Sequence, residues 1–510
     1  MMTAGILSGL LLAAVQLPTD GRWQLLWDDA IVDEAKSTVT RRLHAPRFAG
    51  VAMTHDAPWE GDGCNYHNIL RDEDAQGVLY RMYYLGWAMG AGAWKETGKV
   101  RPIGIRICYA ESRDGLVWTK PDLGLRNVGT NRHTNVILDG HDNAWDNFMV
   151  FKDANPACPK DELYKGVCSY QVKLDKDGRP DPNGKTDRGL WCFVSADGVR
   201  FKRGWCLTKK GAFDSLNVAF WDPDRKLYHV YYRVQYGVKN DRYGDNNVRG
   251  SRHIVSKDFH AWDEGENIRF GTQEDYPLYT SGVEPYLRAP DVFVGFPMRY
   301  VERKEWTPNY DSLPDAERRK ARCKVSKRYG LVLTDTAFMW SRDGVRFNRE
   351  DEAFLRPGPE RPDSWTYGSA CAARGLVVTP GWRGGDEEIS MYFNDGHWSG
   401  RPATLDRYVI RMDGFVSRHA TYEPQTLVTK PFTFAGDTLE INFATSARGF
   451  LRVEARAADG SAAVSDDLFG DSTHRRVVFV KGDLASLAGK VVTMTMTMSD
   501  ADAYSFRFVK

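Results

Sequence analysis

Four carboxylates in the sequence are placed where they could act on a glycosidic bond. Asp62, Asp146, Asp214 and Glu284 each stand at or shortly before a stretch that is rich in β-forming residues. A pair of carboxyl groups in a cleft can supply a general acid together with a base or a nucleophile, and this is the chemistry that cleaves glycosidic bonds. These four residues are therefore our candidates for catalysis.

Polar and aromatic side chains near these carboxylates could bind a sugar. Amides and arginines can hold hydroxyl or carboxylate groups, and aromatic faces can stack on a sugar ring. The candidates for substrate binding are Glu60, Asn65, His67, Trp145, Asn147, Asn217, Arg233, Tyr279, Arg288 and Trp365. Two of them have a structural alternative, because His67 could be a hydrogen-bonded core histidine and Arg233 could pair with Asp214.

A repeated turn marks the elements that must position these residues. The pattern Ser-x-Asp-Gly ends at Gly115, Gly198 and Gly344, Phe259 replaces the glycine in a fourth copy, and a degenerate fifth copy ends at Gly414. The aspartate of such a turn accepts backbone N–H groups, and the glycine tolerates a positive φ. We therefore interpret these turns as structural and use them to count repeats.

Short runs of β-forming residues fill the intervals between the turns, as at residues 80–84, 228–232 and 389–393. Five units of four strands predict an all-β protein with a five-bladed β-propeller. The innermost strands of a propeller surround one central funnel, so the candidate residues should converge there. We expect residues 23–32 to form a strand that could complete the last blade. A helix from about Ser312 is predicted as an insertion in the fourth blade, with a solvated basic face.

The two ends of the chain differ in residue pattern from the repeats. Residues 421–510 alternate between apolar and polar side chains, which predicts a small C-terminal β-sandwich. The apolar run at residues 4–15 is too short to span a bilayer but fits the core of a signal peptide. The predicted division is a signal peptide at 1–18, a propeller at 19–420 and a sandwich at 421–510. We expect export, to the periplasm or the medium, and no membrane span.

Composition excludes several other classes of partner. The formal net charge of +1 over 510 residues argues against binding to nucleic acid. The eight cysteines include no C-x-x-C pair, so neither a zinc ribbon nor a redox motif is expected, and we predict no metal and no cofactor. Cys158 could pair with Cys168 and Cys192 with Cys206, or all could be buried thiols. The expected partner is a carbohydrate, and the expected state is a monomer or a small homo-oligomer.

The chain resembles the five-bladed propeller glycoside hydrolases of families 32, 43 and 68. The resemblance rests on five blades, the Ser-x-Asp-Gly-x-x-Trp/Phe hairpins and a trailing β-sandwich as in family 32. It implies hydrolysis of a poly- or oligosaccharide by funnel carboxylates. By position, Asp146 matches the second-blade aspartate that stabilises the transition state or orients the acid.

The family motifs themselves are altered in this chain. Residues 63–67 read Gly-Cys-Asn-Tyr-His where family 32 has Trp-Met-Asn-Asp-Pro, and residues 145–147 read Trp-Asp-Asn in place of Arg-Asp-Pro. Asp214-Ser215 stands near the position of the family's Glu-Cys pair. The assignment of the nucleophile therefore stays open at this point.

Two other functions are compatible with the sequence. A non-catalytic carbohydrate-binding propeller is favoured by the altered motifs and would bind glycans without releasing products. A six-bladed, sialidase-like enzyme carries similar turns, but it requires a sixth turn and three funnel arginines, whereas five turns are present.

Overall fold

The computed structural model describes residues 14–88, 103–139, 144–177, 183–236, 248–271, 273 and 276–510, excluding the side chains of residues 103, 144–146, 174 and 236. The chain forms two compact units. The first contains Met1–His44, Gly381–Glu387 and Arg411–Lys510, and the second contains Ala45–Pro380 and Glu388–Ile410. Nearly all regular structure in both units is β, as predicted.

The second unit is a five-bladed β-propeller, which confirms the predicted fold class and excludes the six-bladed alternative. Each blade is an antiparallel sheet whose first strand is innermost. The strands of blades 1 to 3 are Asn65–Asp74, Gly77–Ala88, Ile103–Ser112 and Val136–Leu138; Ala144–Lys152, Tyr164–Leu174, Lys185–Ser195 and Lys202–Thr208; and Val218–Asp222, Leu227–Tyr236, Val248–Ser256 and Glu266–Asn267. Those of blades 4 and 5 are Glu284–Tyr286, Ala289–Gly295, Met339–Ser341 and Asn348–Arg349; and Cys371–Ala372 with Val377–Thr379, Glu388–Asp395, Thr404–Arg411 and Arg47–Thr54.

The Ser-x-Asp-Gly turns follow the third strand of blades 1, 2 and 4 and fasten each blade to its neighbour. Within each turn the serine hydroxyl accepts a hydrogen bond from the glycine N–H, at 2.9 to 3.0 Å. The glycine carbonyl accepts a second bond from a tyrosine on the second strand of the preceding blade: Tyr83 to Gly198 at 2.8 Å, Tyr231 to Gly344 at 2.8 Å, and Tyr392 to Gly115. The turn is therefore a joint between blades as well as a hairpin.

Packing explains why Phe259 replaces glycine in the turn of blade 3. Val167 of blade 2 and Tyr83 of blade 1 occupy equivalent places on their second strands. Blade 2 therefore has no tyrosine at the position that contacts the turn of the next blade. The fully buried ring of Phe259 packs against Phe151 and Tyr228, with centroids 5.6 and 5.0 Å away. It does so with a φ of 65°, a conformation that disfavours a bulky residue. Ring burial thus substitutes for the missing tyrosine at this joint.

The fifth blade takes its fourth strand from near the start of the chain. Arg47–Thr54 pairs antiparallel with Thr404–Arg411, so the sheet of blade 5 contains both early and late residues. The expectation that residues 23–32 complete the last blade is wrong: Gln24–Leu25 pairs instead with Val492–Val509 in the first unit. The degenerate fifth turn follows from this exchange, because the chain leaves the propeller after Arg411 and makes no return strand there.

A helical insertion interrupts blade 4, as predicted. It comprises α1 (Pro308–Ser312), α2 (Ala316–Val325) and α3 (Lys327–Leu331), and it connects the strands of a hairpin formed by Met298–Glu302 and Val332–Thr336. The expectation of a solvated basic face is wrong for Arg319 and Arg322, which are buried. They donate hydrogen bonds to the carbonyl oxygens of Ser364 at 2.9 Å and Trp398 at 2.7 Å, because these loop carbonyls need donors where α2 covers them.

The first unit contains an eleven-stranded sheet whose halves enclose one core, consistent with the predicted C-terminal β-sandwich. Its two long strands, Thr438–Ala457 and Val492–Val509, pair along their lengths, with a break in register between Thr445 and Phe450. Inward residues from both sides of this break pack together, among them Leu439, Ile441, Val453 and Met496. The other strands are Val15–Gln16, Gln24–Leu25, Thr40–Leu43, Val416–Ala420, Gln425–Val428, Phe432–Thr433, Ala462–Ser465, Asp471–Arg476 and Phe479–Lys481.

The eight cysteines are free thiols, so neither disulfide considered from the sequence is formed. Across the described part of the chain, no helix is both long and apolar enough to cross a membrane. The predicted signal peptide falls mainly on residues 1–13, outside the described residues.

Disturbing the joint between blades 3 and 4 should lower stability beyond the cost of backbone strain. In Gly344→Ala the new Cβ would lie 2.8 Å from the Tyr231 hydroxyl, at a φ of +82°. Gly358→Ala is a matched control, because its φ is +78° and no atom lies within 4 Å of the added Cβ. We expect urea denaturation to show a loss of about 1 to 2 kcal/mol more for Gly344→Ala than for the control. In a Tyr231→Phe background that excess should shrink; equal losses in both glycine variants would contradict the joint.

Two buried histidine pairs should make the propeller sensitive to acid. His229 Nδ1 lies 2.8 Å from His253 Nε2, and His55 Nε2 lies 2.7 Å from His67 Nε2. Burial lowers the pKa of His229, His253 and His67 to about 3. The unfolded chain therefore binds more protons than the folded chain between about pH 3 and 6.5.

The free energy of unfolding should accordingly fall as the pH drops from about 6.5 to 4.5. Each buried histidine contributes up to about 1.4 kcal/mol per pH unit. Denaturation curves of His253→Gln should show a shallower pH slope than those of the wild type. His133→Gln, which alters a histidine side chain that is 87% exposed, should keep the wild-type slope. An unchanged slope in His253→Gln would refute the assignment.

Candidate active site in the propeller funnel

A left-handed backbone residue occurs within the innermost strand of each of the five blades or up to five residues before it. These residues are Tyr66, Asn147, Phe213, Gly282 and Ala370, with φ between 53° and 61°. Four of the five are not glycine, so each holds a conformation that costs roughly 1 to 3 kcal/mol and persists only when the surroundings enforce it. Strain of this kind concentrates at functional sites, and here it surrounds the funnel.

Hydrogen bonds between neighbouring innermost strands fix the funnel. The backbone N–H of Ile69 donates to the Arg374 carbonyl at 2.8 Å, and the Arg374 N–H donates to the His67 carbonyl at 2.9 Å, which joins blades 1 and 5. The Asn68 amide oxygen accepts the Val150 N–H at 2.7 Å, which joins blades 1 and 2. The Ser215 hydroxyl donates to the Tyr279 carbonyl and joins blades 3 and 4. The funnel is therefore a rigid frame for the groups it presents.

Arg233 is the most unusual of these groups. Its side chain is buried, its guanidinium carbon lies 4.6 Å from the centre of the Tyr279 ring, and its Nη1 lies 3.4 Å from Asp214 Oδ1. None of its three guanidinium nitrogens has a hydrogen-bond partner among the described residues. Burial alone would lower the pKa of Arg233, but Asp214, Tyr279, Tyr66 and Tyr367 raise it above its ordinary value, so the group stays charged.

Asp214 beside Arg233, and residues at the starts of the innermost strands of blades 1 and 2, also have buried polar atoms without a hydrogen-bond partner among the described residues. Asp214 is partly exposed, but its Oδ1 is buried and accepts no hydrogen bond from the described residues. Neither amide atom of the fully buried Asn147 has a partner within the described part of the chain, and the same is true of Asn65 Oδ1. A buried polar group without a partner costs about 1 to 3 kcal/mol. Such a concentration therefore marks groups that a polar ligand could satisfy.

Glu284 brings a carboxyl group to the same ring of strand starts. Its Oε1 accepts the Gly375 N–H at 3.1 Å. Burial raises the pKa of Glu284, while the nearby charge of Arg374 partly opposes the rise. Arg374 is itself buried, which lowers its pKa, and its Nε donates to the Val283 carbonyl at 3.4 Å. A carboxyl group with a raised pKa in a cleft is suited to act as a general acid.

The loop that precedes blade 1 holds its two carboxylates inside the protein. Glu60 accepts hydrogen bonds from the Tyr84 hydroxyl at 2.5 Å, from Lys120 Nζ at 2.8 Å and from the Ala57 N–H at 2.8 Å. Asp62 Oδ2 accepts the Gly400 N–H at 2.9 Å, which ties this loop to residues 396–401. Burial raises the pKa of Asp62. Glu60 is thus fully engaged within the scaffold, whereas Asp62 keeps one buried oxygen without a partner among the described residues.

The remaining candidates from the sequence occupy varied positions. His67 is paired with His55 and stacks on Tyr84 at 5.4 Å, and the Asn217 amide is used by Phe213, Ser215 and Arg233 backbone groups. Arg288 lies in the turn between the first two strands of blade 4. The side chains of Trp145 and Asp146 lie outside the described residues, although their backbone begins the innermost strand of blade 2. Trp365 lines a separate cleft, which is described below.

Two funnel residues, Tyr66 and Arg374, were missed from the sequence. Tyr66 stands between two residues that were chosen, Asn65 and His67, and its left-handed backbone has no sequence marker. Arg374 follows the small residues Cys371–Ala372 of the innermost strand of blade 5, and no motif in the sequence marks this position. Among the described residues, no group of three or more histidine, cysteine or acidic side chains could hold a metal ion.

No family model matches this sequence, and no curated protein matches it either. Solved structures with a similar course of the chain include an N-acetylgalactosamine deacetylase from F. plautii in complex with blood group B trisaccharide, at 14% identity and a TM-score of 0.42, covering 73% of this chain and 96% of that one. A family-32 β-fructofuranosidase from Bombyx mori matches at 12% identity and a TM-score of 0.38, covering 92% and 94%. An exo-inulinase from Aspergillus awamori matches at 10% identity and a TM-score of 0.39, covering 92% and 99%.

These neighbours include the type of glycoside hydrolase that the sequence was found to resemble.

Replacing Arg233 should cost little stability. Its guanidinium is desolvated and makes no hydrogen bond to the described residues, and its partner Asp214 is partly exposed, so Arg233→Met should leave the free energy of unfolding within about 1 kcal/mol of the wild type, or raise it. Arg81→Met is the control, because Arg81 donates to Asp72 at 2.6 Å and to the Asp197 carbonyl at 3.0 Å; we expect it to lose about 2 to 3 kcal/mol. Chemical denaturation compares the two variants. A loss for Arg233→Met as large as that for Arg81→Met would show that Arg233 serves the fold.

Proposed function

We propose that the protein is a glycoside hydrolase whose active site is the propeller funnel. The observation that carries the proposal is the buried and charged guanidinium of Arg233, which lies between the Tyr279 ring and Asp214 and has no hydrogen-bond partner among the described residues. A group of this kind can donate several hydrogen bonds to the hydroxyl or carboxylate oxygens of a bound sugar. Tyr66, Tyr279 and Tyr367 add the aromatic surface that carbohydrate sites use.

Glu284 is the proposed general acid. In its protonated form it can donate its proton to the glycosidic oxygen while the bond from that oxygen to the anomeric carbon breaks. Burial supports this role, because it raises the pKa of Glu284 and keeps the carboxyl protonated at a higher pH than an ordinary glutamate. The charge of Arg374 limits this rise in the pKa of Glu284, since it favours the ionised form of the carboxyl group.

Asp146 is the proposed second carboxylate, by its place at the start of the innermost strand of blade 2. It would either activate a water molecule or attack the anomeric carbon. Asp214 is better suited to hold the Arg233 guanidinium, which it faces at 3.4 Å. Asp62 ties the loop that precedes blade 1 to residues 396–401. Because residues 4–15 fit a signal-peptide core, we also propose that the protein is exported and acts on an extracellular glycan.

Glu284→Gln should lower kcat/KM by about 10²- to 10⁴-fold on a polysaccharide that the wild type hydrolyses, because proton donation to the leaving group is lost. The measurement is a chromatographic screen for released sugars, followed by kinetics on the hydrolysed substrate. Glu302→Gln, which changes an exposed carboxylate on the blade-4 hairpin, should keep wild-type activity. Asp146→Asn should abolish hydrolysis with little change in melting temperature.

The pH profile tests the role of Glu284 separately. The wild-type kcat/KM should fall on the alkaline side as Glu284 loses its proton. Arg374→Gln removes a charge that lowers the pKa of Glu284, so its alkaline limb should move to higher pH. Full activity in Glu284→Gln would refute the assignment of the acid. Glycan binding without any released product would support the carbohydrate-binding propeller instead.

A further inference from the structure

A second cleft lies on the outer side of the blade-4 hairpin and has a volume of about 420 Å³. Strand alternation separates it from the funnel. Arg299, Val301 and Arg303 line the cleft, whereas Tyr300, between them, packs against the funnel residues Tyr279 and Tyr367 with centroids 5.7 Å apart in both cases. One hairpin therefore forms a wall of both sites, with a different face toward each.

The apolar part of the cleft is built around Trp365. The ring is partly exposed, and Val301, Leu333 and Pro357 line the cavity beside it. Its indole N–H donates to the Gly358 carbonyl at 2.9 Å, and its backbone is left-handed, with φ at 56°. The hydrogen bond fixes the ring in place, and the strained backbone conformation persists only where the surroundings enforce it. A tryptophan held in this way offers a preformed face to a ligand.

The charges that line the cleft are not all used within the protein. Arg299 makes a two-point contact with Asp335, with both nitrogen–oxygen distances at 2.6 Å, and Asp351 lies 3.4 Å from Arg349. Arg303 and Arg356 are exposed and have no ion-pair partner among the described residues. Among the acids that line the cleft, only Glu352 is likewise exposed and without an ion-pair partner among the described residues. The unused charge in the cleft is therefore positive on balance.

We propose that this cleft binds a uronic acid unit of an acidic oligosaccharide, as an accessory site outside the funnel. Trp365 would stack on the sugar ring, and Arg303 and Arg356 would hold its carboxylate, because arginine forms strong charge-assisted hydrogen bonds to carboxylates. The carbohydrate nature of the ligand rests on the proposed function. The acidic unit is argued from the two unpaired arginines of the cleft itself.

Calorimetric titration with trigalacturonate tests the proposal, with its fully methyl-esterified form as a neutral counterpart of the same sugar. The wild type should bind trigalacturonate at least tenfold more tightly than the ester, and more weakly as salt is raised. Trp365→Ala should lose at least tenfold in affinity, while Trp365→Phe, which keeps an aromatic face, should retain most of it. The double variant Arg303→Gln and Arg356→Gln should bind the acid no better than the ester.

The matched control is the double variant Trp382→Ala and Arg383→Gln. It removes an exposed tryptophan with an arginine stacked on it at 4.3 Å, in the other unit of the chain, and it should bind like the wild type. The proposal is overturned if the wild type fails to bind at millimolar concentration, if the ester binds equally well, or if Trp365→Ala has no effect. It is also overturned if Arg233→Met, in the funnel, removes the binding.

Failure of the proposed function would be distinguishable from failure of this site. Hydrolysis is measured with Glu284→Gln, whereas binding in the cleft is measured with Trp365→Ala. Cleft binding in a protein without hydrolytic activity would refute the enzyme and leave the accessory site standing.

Discussion

The hydrogen bond from a tyrosine hydroxyl of one blade to the turn glycine of the next is the contact on which the propeller depends. It recurs at Gly115, Gly198 and Gly344, and at the blade-2 to blade-3 joint the buried ring of Phe259 replaces it. Because a glycine carbonyl must approach the hydroxyl closely, a side chain at that position would collide with its partner. The joint therefore fixes the spacing of the blades, and through it the positions of the innermost strands that surround the funnel.

A rigid frame allows the funnel to hold groups that would otherwise destabilise it. Arg233 is charged and buried without hydrogen bonds from the described residues, and Asn147 combines a left-handed backbone with an amide that has no partner there. Glu60, in contrast, has every carboxylate oxygen engaged and lies in the supporting loop. Glu60 therefore recovers the cost of its burial through hydrogen bonds within the protein, whereas Arg233 and Asn147 do not recover it from the described residues and could be satisfied by a ligand.

The sequence was sufficient to predict the propeller because its turns carry local chemistry. Serine, aspartate and glycine specify each turn through bonds to their own neighbours, so their spacing counts blades without knowledge of the tertiary structure. Asp214, Arg233 and Glu284 were proposed as site residues from their places relative to those turns. Tyr66 and Arg374 were not, because a left-handed residue and a buried arginine depend on contacts between blades. The burial of Arg319 and Arg322 was missed for the same reason: a basic stretch indicates solvent unless the loop carbonyls that accept its hydrogen bonds are known.

The pairing of Arg47–Thr54 with Thr404–Arg411 sets the order in which the molecule can be completed. Blades 1 to 4 are each made from one continuous stretch and can form in the order of synthesis, but blade 5 joins residues from nearly opposite ends of the propeller sequence. Closing so long a loop is a non-local step, and such steps are slow. Until it occurs, Arg47–Thr54 has no partner and Thr404–Arg411 is an open edge, and other chains can pair with either strand. The ring thus gains a closed architecture at the cost of a late, concentration-sensitive stage in its folding.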